Sequence, residues 1–181
     1  FIYNTRAKLE GDLSVHITSD ERQVLEKEMA IVEEWFYSGD VGIEDMNILS
    51  DKVKNLDQIG QVLYRRFNEW NNVLESGKYL ENNINQQRQR LNMEYEKFNK
   101  KDTSIYLTQP DFEEINSIFD LYKTKLTETS KQLEGAARTS DPPVLSNTIS
   151  QYFDDMNKKI NNVYSAAENK VREQKRKEEK E

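Results

Sequence analysis

An all-α fold, an elongated antiparallel bundle of about five helices, follows from three features of this chain. Apolar residues recur at spacings of three and four along most of its length, which keeps one stripe of each helix facing inward. Turn residues are scarce, with six Gly and three Pro in 181 residues. The chain is 33% charged and 35% hydrophobic, a balance that solvates the outer face of every helix and is too polar for a membrane span. We read residues 1–170 as a single helical bundle domain and 171–181 as a charged tail.

Phe1 to Glu10 reads as the end of a helix, and Gly11 stops it. Because the chain opens at Phe1, without Met and already inside that pattern, we expect a fragment of a longer protein. Thr18-Ser19-Asp20-Glu21 is a capping box: the Thr hydroxyl and the Glu carboxylate three residues on each satisfy an orphaned backbone N–H. The second helix then runs to about Ser38 with Val24, Leu25, Met29, Val32, Trp35 and Phe36 inward, and Gly39 and Gly42 end it.

The third pattern is the longest. Leu49, Val53, Leu56, Gly60, Leu63, Phe67, Trp70 and Leu74 alternate by four and three, and Ile84, Leu91, Tyr95 and Phe98 continue. A helix from Asp45 to Asn99 would extend roughly 80 Å at about 1.5 Å per residue, so a bend or break is expected at Ser76-Gly77, where an interior Gly costs about 1 kcal/mol relative to Ala. Lys100 to Gln109 is a polar connection with an Ile105-Tyr106-Leu107 island. Pro110 suits the first turn of a fourth helix, whose stripe is Phe112, Ile115, Phe119, Tyr122, Leu126 and Leu133. Gly135 and Asp141-Pro142-Pro143 end it. The last helix starts near Ser146, carries Ile149, Phe153, Met156, Ile160, Val163 and Ala167 on one face, and fades into the charged stretch Lys170 to Glu181.

Several chemistries find no footing. With no Cys there is no disulfide or thiolate site, and a di-metal carboxylate bundle needs Glu-x-x-His pairs on facing helices. The only histidine, His16, falls in a linker and reads as an ordinary surface or loop residue. Phosphate loops and Ser/His/Asp sets are missing from the sequence, so no catalytic residue, metal or cofactor is expected here. Glu113-Glu114 and Asp154-Asp155 read as solvated helix faces, as do the basic groups Tyr64-Arg65-Arg66 and Lys175-Arg176-Lys177. Trp35 and Trp70 lie on apolar stripes and read as core. A net charge of −7 and a pI near 5.0 argue against nucleic acid or anionic lipid and for a protein partner.

One stretch goes further. Glu33-Glu34-Trp35-Phe36-Tyr37-Ser38-Gly39-Asp40 resembles the "E-x-W-L-Y-x-x-G" element in the carboxy-terminal helical domain of large chaperones of the heat shock protein 70 family. Ile2-Tyr3-Asn4-Thr5-Arg6-Ala7-Lys8-Leu9 resembles the "Y-x-x-R-x-K-L" end of the long lid helix in that large branch. Asp51 to Gly60 resembles the next family helix, "K-x-x-E-L-x-x-L-G", departing from it at Asn55 and Ile59. Thr108 to Leu126, and Pro143-Val144-Leu145 leading into Ile149, are similar to the endoplasmic-reticulum members of the heat shock protein 110 and glucose-regulated protein 170 type.

The resemblance implies a stress-response co-chaperone of the endoplasmic reticulum lumen, or of the cytoplasm in the alternative. Its parent would carry an actin-like ATP-binding domain and a β-sandwich, and would act as a nucleotide exchange factor for a heat shock protein 70 partner in protein folding. ATP would belong to the parent and not to this region. The bundle is then expected to clamp the partner's nucleotide-binding domain, and the exposed positions of the first two helices, Asn4, Arg6, Lys8, Glu26 and Glu33, are the candidate contacts. A second reading is a holdase region that binds unfolded client polypeptide through Tyr79, Tyr95, Phe98, Tyr106 and Tyr164. A third is a coiled-coil interaction domain or spacer that self-associates through the heptad-like stripe.

Overall fold

The computed structural model describes residues 2–38 and 45–179. It is all-α: α1 Ile2–Glu10, α2 Ser19–Tyr37, α3 Asp45–Asn99, α4 Gln109–Glu134 and α5 Ser146–Glu178, with no strand among the described residues. The expected helix stops at Gly39 and Gly42, with Asp40 between them, lie outside the described residues. Up to that point α2 closes on Ser38, whose hydroxyl and N–H both donate to the Trp35 carbonyl at 2.8 and 3.4 Å.

The chain forms two compact units, residues 1–72 with 136–143, and residues 73–135 with 144–181. In the first, α1 and α2 run antiparallel, as the Arg6–Glu33 and Arg22–Leu9 contacts require. The amino-terminal half of α3 lies antiparallel to α2, with Arg66 bonded to Glu21. Leu9, Leu13, Leu25, Met29, Leu56 and Leu63 form the core of this unit, each at most 2% exposed. Each such side chain contributes about 1.5–3 kcal/mol by leaving water. Val24 and Phe36, expected inward, are instead 50% and 60% exposed, and Trp35 is half-buried. The inward arc of α2 is narrower than its apolar arc.

In the second unit the carboxy-terminal half of α3, with α4 and α5, forms an up-down-up bundle. Gln87 meets Asn157 and Glu94 meets Tyr164, both 70 residues apart, so α3 and α5 run parallel. Arg88 meets Asp120, and Tyr95 packs on Phe112, so α4 is antiparallel to α3. Val73, Leu80, Ile84 and Leu91 pack with Phe112, Ile115, Phe119, Tyr122, Ile149 and Met156.

α3 is one uninterrupted helix, so the chain does not break at Ser76-Gly77. A helix of 55 residues holds together because tertiary packing rather than propensity supplies most helical stability. Its buried stripe is continuous: Leu56, Leu63, Trp70, Ile84 and Leu91 keep a seven-residue repeat with Gly77 at the intervening position, and Val73 and Leu80 add the places three residues after Trp70 and Gly77. Val53, expected inward, is 42% exposed, and Leu74 is only half-buried.

The helix ends obey local rules. Thr18 and Glu21 form the expected capping box. A second box, not read from the sequence, joins Thr108 and Asp111 at the start of α4, just ahead of Pro110 and the buried Phe112. Beyond α3 the chain turns at Lys101, whose φ is +58°, while the Asp102 N–H reaches back to the Lys97 carbonyl at 3.1 Å. This is a Schellman-type end with lysine where glycine is usual.

Two opposite substitutions should therefore both stabilise. A Cβ on Gly77 would meet Leu126 Cδ1 at 3.6 Å, ordinary contact, so Gly77→Ala should add about 0.5–1 kcal/mol by removing unfolded-state freedom. Lys101→Gly should gain by relieving the left-handed backbone. Urea denaturation of each variant checks both signs, and a destabilised Gly77→Ala would place a hinge at that position.

Candidate partner-binding site

The five candidate contact residues do not form one cluster. Arg6 and Glu33 join α1 to α2 through a bidentate pair, Nη1 to Oε1 and Nη2 to Oε2, both 2.7 Å. The Glu33 hydrogen bonds raise the Arg6 guanidinium further above its ordinary pKa. Lys8 Nζ sits 4.8 Å from the centroid of the Tyr64 ring on α3, a cation–π contact. Glu26 lies 3.6 Å from Arg22 Nη1, and Arg22 also donates to the Leu9 carbonyl at 2.5 Å. Asn4 is exposed, and Tyr3 beside it is 86% exposed. Arg6 and Glu33 are thus set by each other, Lys8 by Tyr64 and Glu26 by Arg22.

His16 is not a surface residue. It is 2% exposed, edge-on to Phe67 at 5.4 Å and 6.4 Å from the Trp70 ring. Nδ1 is 3.2 Å from the Arg138 carbonyl; a carbonyl only accepts, so Nδ1 carries the proton of the neutral ring. Burial lowers the His16 pKa, the Arg138 carbonyl partly opposes that, and the nearby Arg138 and Arg66 charges add to it.

Arg66 is likewise no solvated face. Only 8% exposed, it donates through Nη1 to the His16 carbonyl at 2.8 Å and grips Glu21 at 3.0 and 3.1 Å. Glu21 therefore serves both the α2 cap and the buried guanidinium. The Arg66 hydrogen bonds, opposed by burial and aided by Thr18, hold the Glu21 carboxyl at about 2, from an ordinary 4.5.

Onto this knot packs the segment 136–143, far away in sequence. The Ser140 carbonyl accepts from Trp70 Nε1 at 2.8 Å, Asp141 accepts from Arg65 at 2.9 Å, and the Arg138 guanidinium lies 5.4 Å over the Trp70 ring. Pro142 is buried. Trp70, at 1% exposure, is core as expected, yet it also anchors this segment. A lone histidine in a linker offered no sequence signal for this, because its partner is the backbone carbonyl of Arg138, 122 residues away.

The second unit has its own polar ties. Tyr164 donates to Glu94 at 2.8 Å, and burial, reinforced by that carboxylate, pushes the phenol pKa well up. Burial alone would raise the Asp111 carboxyl, but the Thr108 hydrogen bonds outweigh it and hold it low. Of the expected exposed aromatics, Tyr79 and Tyr106 are 61% and 40% exposed. Tyr95 and Phe98 instead pack against Phe112, and Tyr164 is half-buried. Lys175, Arg176 and Lys177 are exposed in the last turn of α5, where cations suit the helix dipole. Among the described residues no group of three or more His, Asp or Glu side chains is gathered to hold a metal ion, and no helix is long and apolar enough to cross a membrane.

Comparison of the chain with protein-family models, curated proteins and solved structures finds no match.

Two titrations follow. The unfolded chain takes up protons that folded His16 refuses, so stability should fall as pH drops below about 6.5. As this is the only histidine, His16→Gln should flatten the pH 5.5–7.5 slope of the urea midpoint. Glu21 likewise contributes fully above pH 4.5 and loses its contribution as pH falls towards 2. Arg66→Met at pH 7 should cost about 1–3 kcal/mol, less than a fully buried pair because Glu21 keeps 34% of its side chain in water. In that variant the Glu21 carboxyl should titrate nearer 4.5 by NMR.

Proposed function

We propose that this chain is a non-enzymatic helical module of a large chaperone of the heat shock protein 110 and glucose-regulated protein 170 type. In this reading it binds the nucleotide-binding domain of a lumenal heat shock protein 70 partner and assists nucleotide exchange. The observation that carries the reading is the assembly of the first unit. Of the stretches that bear the family resemblance, Ile2 to Leu9 falls on α1, the described part of Glu33 to Asp40 on the end of α2, and Asp51 to Gly60 on α3, all in that unit. Two of them are tied by the Arg6–Glu33 fork. Arg6 and Lys8 belong to the resemblance and sit on the solvent side of α1, where a partner would meet them.

A holdase role is favoured by a separate feature. Phe36 and Tyr37 are 60% and 80% exposed with rings 5.5 Å apart, apolar surface that an extended client chain would cover. Self-association through the α3 stripe is not proposed, because Leu56, Leu63, Val73 and Leu80 are already buried by the chain's own helices.

The test is a titration of the folded chain with the purified nucleotide-binding domain of a lumenal heat shock protein 70, following ADP release. Saturable binding and faster release are expected. Arg6→Glu and Glu33→Arg should each weaken binding about tenfold, and the double exchange should restore the intramolecular fork but not the affinity. Full recovery in the double variant would make the pair structural. No binding by a folded chain would overturn the reading, and suppression of client aggregation in that case would favour the holdase.

A further inference from the structure

The net charge of −7 is not shared evenly. The first unit holds fifteen Asp and Glu against nine Lys and Arg, a net −6, and leaves only −1 for the second. On the same unit, the side of α2 that meets α3 away from α1 is apolar and open. Val24, Ile59, Val62 and Leu63 line a hollow of about 380 Å³ between α2 and α3, with Asp20 and Glu21 at its end. Val24 and Val62 are 50% and 47% exposed there.

The hollow continues as a stripe. Ile31 and Trp35 follow Val24 on one face of α2 at helical spacing, and both are half-buried. Ile48 precedes Ile59 by eleven residues on the adjoining face of α3 and is 48% exposed. Lys52 and Asn55 stand between Ile48 and Ile59 at the same spacing, so the continuous apolar part of the groove is the hollow lined by Val24, Ile59, Val62 and Leu63. Glu28 lies within the α2 row, and Asp20 and Glu34 flank it, with Lys27 between them. Glu21 is already held by Arg66, so Asp20, Glu28 and Glu34 outnumber Lys27 and Lys52 along the groove by one charge.

We propose that this groove of α2 and α3 binds a basic amphipathic helix of a protein partner. Three or four apolar side chains at i, i+4 and i+7 would fill the positions between Val24, Trp35, Ile48 and Val62, and flanking lysines or arginines would face the acidic rim. An acidic helix would be repelled by a unit of net −6, and a neutral one would gain no steering. The groove uses neither Arg6 nor Lys8, so this inference is independent of the proposed chaperone contact.

The probe is a synthetic Leu/Lys amphipathic helix of about 18 residues, compared with its Leu/Glu counterpart. Trp35 reports directly, since it is half-exposed while Trp70 is 1% exposed. Saturable binding of the Leu/Lys helix, with a blue shift lost in Trp35→Phe, is expected, and affinity should drop tenfold or more in Val62→Glu and several-fold in Asp20→Lys. Val62 is exposed, so Val62→Glu should keep the wild-type circular dichroism and urea midpoint, whereas Asp20→Lys, in the first turn of α2, should keep the circular dichroism and lower the midpoint slightly through the helix dipole. Equal binding of the Leu/Glu helix would overturn the proposal, as would undiminished binding to Val62→Glu or no binding to the folded chain. A dimer in sedimentation that Val62→Glu dissociates would assign the groove to a second copy instead, and overturn it too.

Discussion

Arg66 is a charge taken almost wholly out of water, and the first unit is arranged around satisfying it. A buried guanidinium is tolerated only when acceptors surround it, because its desolvation costs several kcal/mol. Here two come from Glu21 and one from the His16 backbone, so the side chain fixes the start of α2, the linker before it and the middle of α3 in one stroke. Nε is left without a partner, the residual cost of the arrangement. Leucine at position 66 would bury as well but would not fix the linker path, since apolar contacts lack direction. The pair thus supplies register more than free energy.

The same constraint explains why residues 136–143 belong with helices that precede them by seventy residues or more. Once Arg66 and Phe67 enclose His16, that ring and Trp70 each present an N–H needing an acceptor in a nearly dry place, and an unsatisfied buried donor costs about 1–3 kcal/mol. The carbonyls of Arg138 and Ser140 meet both. Pro142-Pro143 suits the task, because a stretch that cannot continue as helix keeps its carbonyls free for other donors. The loop between α4 and α5 is therefore part of the fold of the first unit as much as a connection within the second.

The helices and most of their boundaries were legible because each rests on local chemistry: capping at Thr18, proline at position 110, proline pairs after Asp141, and apolar spacing between. Three things were not. The burial of Val73 in place of Leu74 was hidden because either follows Trp70 at a helical spacing, and only the identity of the packing partners decides between them. The continuity of α3 at Gly77 was hidden because propensity counts the lost Cβ but not the Leu126 methyl lying against that position. The burial of His16 and Arg66 was hidden because a polar residue looks solvated until its acceptors are known. Among the candidate contacts, exposure of Asn4, Arg6 and Lys8 could be read from α1 alone, whereas the pairing of Arg6 with Glu33 required the crossing of two helices.

Under the proposed function, that pairing sets what a partner at this surface would have to do. An exposed ion pair contributes little to stability, so opening the Arg6–Glu33 fork would disturb the fold only slightly. A partner carboxylate could take Arg6 by exchange, releasing Glu33 to accept from a partner cation. Two paired charges become two intermolecular ones, with no net change in buried charge and a strict demand on spacing. Lys8 is held more loosely over Tyr64 and offers a point charge without fixed direction. Specificity at this surface would then rest on the geometry of the guanidinium fork, and the apolar groove on the far side of α2, with its acidic rim, would select by the sign of the approaching helix. Under the two proposals the two faces of one helix would discriminate by different physics, one by planar hydrogen bonding and the other by charge and apolar fit.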